Sequence, residues 1–97
     1  MGKYVLAYTG GGSPQSEEEG RQVMAAWTAF FEQLGDAVVD WGAPFSGSTV
    51  VGGGASAGLS GYSIISADSI DAAAEMAKAC PIFAAGGGVE VYEAMEM

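Results

Sequence analysis

Two hydrophobic periods alternate along the chain. Lys3 to Tyr8 (KYVLAY) is aromatic and partly β-branched, stops at Gly10-Gly11-Gly12, and predicts a strand. After Ser13-Pro14, Ser16 and Glu19 have the spacing of a capping box, and Glu17 to Glu19 put negative charge in a first turn, where the helix dipole favours it. Val23, Trp27, Phe30, Phe31 and Leu34 then recur as one apolar helical stripe, and Gly35 is placed to end it as a left-handed cap. Ala37 to Trp41 (AVVDW) predicts a second strand, broken by Gly42-Ala43-Pro44-Phe45. Ser48 to Val51 reads as a short extended piece, and Gly52 to Gly58 as a flexible segment. Gly61 to Ser66 (GYSIIS) predicts a third strand. Asp68 and Asp71 have cap spacing for a second helix, with Ile70, Ala73, Ala74 and Ala77 on its apolar face up to Cys80. Asp71, Glu75 and Lys78 line its polar face, with one favourable i, i+3 pair, and Pro81 stops it. After Gly86-Gly87-Gly88, Val89 to Met95 predicts the last strand.

The order βαββαβ predicts an α+β fold: a ferredoxin-like subunit with a four-stranded antiparallel sheet and both helices on one face. Residues 1–97 form a single domain. The strands are apolar on both faces. In the first, Tyr4, Leu6 and Tyr8 point one way, while Val5 and Ala7 point the other. Two helices cover one side only, so the second face is expected to meet the sheet of another copy. Covering roughly 800 Å² per subunit gives an upper estimate of about 40 kcal/mol for two faces. Association takes back about 4–15 kcal/mol, and residual hydration takes back more. A homodimer is the expectation.

Composition narrows the partners. Three Lys/Arg against twelve Asp/Glu give a net charge of −9, which argues against nucleic acid and anionic membrane surfaces, where each phosphate contact wants a cation. The chain has no His and one Cys, so disulfide scaffolds, zinc sites and His-based acid–base chemistry lack their parts, and no cofactor or metal is expected. The N-terminal apolar stretch is too short for a signal peptide, no run is long enough to span a bilayer, and Leu6 stands where a myristoylation motif needs Ser or Thr. These features predict a cytoplasmic protein.

Taken in order, MGKYVLAYTGG, the Gly42 to Pro44 turn, GYSIISADSIDAAAEMAKACP and VEVYEAMEM resemble the YCII-related family of the dimeric α+β barrel superfamily over nearly the whole chain. The run from Gly61 to Pro81 is the most specific part. The resemblance implies a ferredoxin-like subunit that pairs through its open sheet face. Many members resemble enzymes with a His on the first helix and an Asp before the Pro that ends the second. Those positions are Met24 and Cys80 here, and an Arg that often follows the final Glu-Val is Tyr92. The Cys-Pro pair is similar to the DGPF-like branch, although the Asp-Gly-Pro-Phe run is missing and DWGAPF at Asp40 to Phe45 is a loose echo of it. The resemblance therefore carries over a fold and a dimer, but no catalytic site.

Candidate chemistry rests on a few side chains. Asp40 interrupts an apolar strand: inside a barrel it would be desolvated and able to act as a general base, whereas at a strand end it simply faces solvent. Glu93 shares its period-2 face with Val89, Val91, Met95 and Met97, so either a bulge turns it out or it lies in a pocket. The tyrosines at 4, 8, 62 and 92 line that pocket or are ordinary strand aromatics. The expected ligand-binding set is Tyr8, Asp40, Tyr62, Tyr92 and Glu93, with Asp40 and Glu93 the only candidates for catalysis. Gly10 to Gly12 is rejected as a phosphate loop, because it has no Lys and three glutamates follow it. The second and third glycine triplets read most simply as flexible loops, and the one at Gly52 to Gly54 also suits a lid over a barrel mouth. Cys80 is expected to be a buried cap residue, and Met95 and Met97 adaptable dimer packing. Glu90 and Glu93 lack the spacing of a known cation loop. Three functions follow: a homodimer binding a small neutral or cationic organic ligand without redox or metal chemistry; a lyase or isomerase using a buried carboxylate; or an interaction module linked to transcription.

Overall fold

Each element forms for a local reason that the sequence displays. In a computed structural model, which describes residues 2–11, 15–54 and 56–95, β1 (Gly2–Thr9) leads to α1 (Glu17–Leu34). Ser16 Oγ accepts the Glu19 N–H at 3.0 Å, and Gly35, at φ 56°, ends the helix by donating its N–H to the Phe31 carbonyl. A 3₁₀ turn (Gly35–Ala37) feeds β2 (Val38–Pro44); after a long connection come β3 (Leu59–Ala67) and α2 (Ile70–Ala77). The cap of α2 is Ser69, whose Oγ accepts the Ala72 N–H at 3.1 Å, and not Asp68. Both residues precede an apolar run, and the side chain that reaches the third helical N–H wins. A second 3₁₀ turn (Pro81–Ala85) precedes β4 (Gly88–Glu93).

The four strands form one antiparallel sheet in the order β2-β3-β1-β4, the ferredoxin-like α+β arrangement expected. Its core lies on one side. Tyr4, Leu6, Tyr8, Ile65 and Ala67 of the central strands are buried with Phe30 and Phe31 of α1, Ala73 and Ala77 of α2, and Cys80 and Ile82 beyond it. Trp27 meets Tyr8 edge-on at 5.0 Å, and Trp41 stacks on Phe31 at 4.8 Å, so aromatic packing extends the core to the β2 edge. The molecule measures 43 × 37 × 18 Å, the thickness of one sheet and one helix layer.

Several expectations shift. Ser48 to Val51 forms no strand. Instead β2 runs on to Pro44 through two register shifts, between Val38 and Asp40 and between Asp40 and Ala43. Gly42 makes this possible. It sits at φ +74°, and a Cβ there would lie 1.7 Å from the Tyr62 carbonyl oxygen, so only glycine fits. The turn before β4 is no loose loop either: a Cβ on Gly87 would lie 2.5 Å from the Thr9 carbonyl oxygen and 2.6 Å from the Ile82 side chain, marking a close backbone approach to the end of β1. Described strand β4 ends at Glu93 rather than Met95, and Met95 is exposed. Gly12, Ser13, Pro14 and Met97 lie outside the described residues.

Candidate functional site

Strand register sorts the candidate residues onto the two faces of the sheet, since directly paired residues share a face. Tyr4, Leu6 and Tyr8 point at the helices, and they pair with Glu93, Val91 and Val89. Glu93 therefore stands on the helix side. It does share a face with Val89 and Val91, as its alternation requires, but at the end of an edge strand it is exposed. Neither a bulge nor an apolar pocket accounts for it. Its charge, with that of Asp68, adds to burial in pushing the Tyr4 phenol up.

Tyr8 is also on the helix side and is buried. Its hydroxyl donates to Ser63 Oγ at 2.8 Å, and Ser63 in turn donates to the Trp41 carbonyl at 2.7 Å. Burial pushes the Tyr8 phenol up to about 12, opposed by the Ser63 hydrogen bond. Cys80 is buried nearby, and burial pushes its thiol up to about 11 against a hydrogen bond from the Ile82 backbone. A thiol held protonated in this way is a poor nucleophile at neutral pH. Met24, the other position of interest in the helices, is exposed.

The helix-free face carries the other three candidates. One row across the sheet reads Asp40, Ile64, Val5, Tyr92, and the next reads Ala43, Tyr62, Ala7, Glu90. Val5, Tyr62 and Ile64 are half-buried, Ala7 is buried, and Asp40, Ala43, Glu90 and Tyr92 are exposed. Asp40 and Tyr62 are diagonal neighbours on adjacent strands, roughly 7–8 Å apart at the backbone. The Phe45 ring stacks on Tyr62 at 5.8 Å. Asp40 Oδ1 accepts the Gly42 N–H at 2.8 Å, so the carboxylate also shapes the turn that follows it. At the opposite edge, the Tyr92 hydroxyl donates to Glu90 Oε2, and that bond pushes the Tyr92 phenol up. Three strand spacings, about 14 Å, separate Asp40 from Tyr92. One subunit thus presents two polar–aromatic groups at opposite edges of an apolar face.

Three participants, Glu90, Phe45 and Ser63, stand outside the expected ligand-binding set. Glu90 and Tyr92 are two apart on a strand, so their shared face was legible. Phe45 lies in what reads as a strand breaker, and Ser63 acts on a residue 55 positions away in the chain; neither carries a local signal. The depression at the N-terminal end of α1, lined by Ser16, Glu18, Glu19 and Gln22, is open to solvent and acidic. Among the described residues no three of Cys, Asp and Glu are placed to hold a metal ion, and no helix is long and apolar enough to cross a membrane.

A family model described as the YCII-related domain matches residues 4–97, and the chain belongs to that family. Comparison with curated proteins and with solved structures found no match.

Proposed function

We propose that this member of the YCII-related family is a homodimer of the dimeric α+β barrel type that holds a small organic ligand between the helix-free faces of two sheets, by shape and polar contacts rather than redox or metal chemistry. One observation carries the reading: Val5, Tyr62 and Ile64 lie half-buried, and Tyr92 exposed, on the side of the sheet away from both helices. An apolar sheet face of this kind gains most by covering. Asp40, Tyr62 and Tyr92 are the residues assigned to the ligand, with Glu90 beside Tyr92. Tyr8 and Glu93 drop out of the set because they lie on the other side of the sheet. Two carboxylates on the face favour a neutral or cationic ligand over an anion. Met24 and Cys80, at the positions where the family's enzymes carry His and Asp, support binding over catalysis, and Cys80-Pro81 supports placement in the DGPF-like branch.

Native mass spectrometry of the full chain, purified gently, tests this directly. The expected species is a dimer with a reproducible extra mass that falls away in Asp40→Asn/Tyr62→Phe. A monomer at micromolar concentration overturns the pairing. A dimer that never carries added mass overturns the ligand.

A further inference from the structure

Residues 41–67 contain no Asp, Glu, Lys or Arg. This stretch covers the end of β2, the whole connection that follows, and all of β3. On the helix-free face the β3 residues of this stretch, Tyr62 and Ile64, are uncharged, with Asp40 and Glu90 only at the two sheet edges, so two copies of a chain of net charge −9 meet least repulsion there. Within the stretch, the connection leaves the body of the fold. Its base is pinned: the Phe45 N–H donates to the Ser60 carbonyl at 2.8 Å, and the Phe45 ring stacks on Tyr62. Beyond the base, residues 46–54 are all exposed, and the apolar tip is bare, with Val50 52% and Val51 88% exposed. The radius of gyration is 14.0 Å, against about 12.5 Å for a compact domain of this length. An uncharged arm with two adjacent valines at its tip gains nothing from water and touches little of its own chain.

We propose that residues 45–54 form an arm that clasps a second copy of this chain, seating Val50 and Val51 on the partner's uncharged surface. The inference rests on the dimer reading above and goes beyond it, because the arm adds a contact outside the sheet faces. Reach is sufficient. From Phe45 to Val51 an extended chain spans about 20 Å, whereas packed sheets lie about 10 Å apart. The arm springs from beside Tyr62, on the helix-free face where the partner is expected.

Sedimentation of a dilution series tests the clasp with the full chain, Val50→Ser/Val51→Ser, and Val51→Asp; all three substitutions fall at exposed positions, so wild-type far-ultraviolet dichroism is expected throughout. Where the dimer is too tight to dilute apart, the rate of subunit exchange replaces the dissociation constant. The double variant is expected to weaken the dimer at least tenfold, equivalent to about 1.4 kcal/mol, and Val51→Asp at least as much. A wild-type dimer whose variants associate unchanged overturns the clasp and leaves the sheet pairing intact. A wild-type chain that stays monomeric overturns both.

Discussion

Replacing Ser63 with alanine removes one oxygen and strands two partners. Ser63 is fully buried and stands between the Tyr8 hydroxyl, which donates to it, and the Trp41 carbonyl, which accepts from it. In Ser63→Ala the Tyr8 O–H is left buried without an acceptor, at roughly 1–3 kcal/mol, and the bond to Trp41 is lost, at roughly 1 kcal/mol because that bond is only partly buried. The expected loss is about 2–4 kcal/mol. Tyr8→Phe removes the donor itself and leaves Ser63 still bonded to Trp41, so about 0.5–1.5 kcal/mol is expected. The double variant has no orphaned hydroxyl and is expected to be no less stable than Ser63→Ala alone, a coupling of at least about 0.5 kcal/mol. Urea denaturation followed by tryptophan fluorescence at one fixed protein concentration measures all three. With a urea slope of roughly 1.5 kcal/mol/M, Ser63→Ala shifts the midpoint by about 2 M. Tyr8→Phe costing as much as Ser63→Ala, or strict additivity of the two, would refute the relay.

Gly42→Ala is expected to lose at least about 3 kcal/mol or to fail to fold, since the new methyl meets the Tyr62 carbonyl oxygen at a positive φ; Gly53→Ala, with nothing near it, is the matched control at within about 0.5 kcal/mol in the same urea titration. Alkali is expected to destabilise the fold. Cys80 and Tyr8 have folded-state values of about 11 and about 12 against ordinary values of 9.0 and 10.0, so the unfolded chain releases these protons first. Their contribution is whole below pH 9 and is lost as pH rises through 11 to 12. Midpoints measured from pH 8 upward test this, and Tyr8→Phe should flatten the fall above pH 10. Cys80 in the native protein is expected to react with a disulfide reagent at pH 8 at least a hundredfold more slowly than in urea; equal rates would place the thiol at the surface.

What the chain determined by itself is what depends on near neighbours. The stripe from Val23 to Leu34 and the Ser16–Glu19 box specify α1 because a helix closes its hydrogen bonds within four residues, and each of those side chains has another of the set three or four residues away. Alternation in β1 likewise divides Tyr4, Leu6 and Tyr8 from Val5 and Ala7 without reference to any other strand. Tertiary structure decided the rest. Alternation groups Glu93 with Val89 and Val91, but only pairing with Tyr4 across β1 assigns that group to the helix side. The same rule would put Asp40 on one face with Val38. The register shift between them pairs Val38 with Ile65 and Asp40 with Ile64, carrying the carboxylate through to the helix-free face. Ser63 takes its meaning from Tyr8, 55 residues distant. A period reports which residues share a side; which side faces the helices is set by contacts between segments far apart in the chain, and those exist only once the sheet has closed.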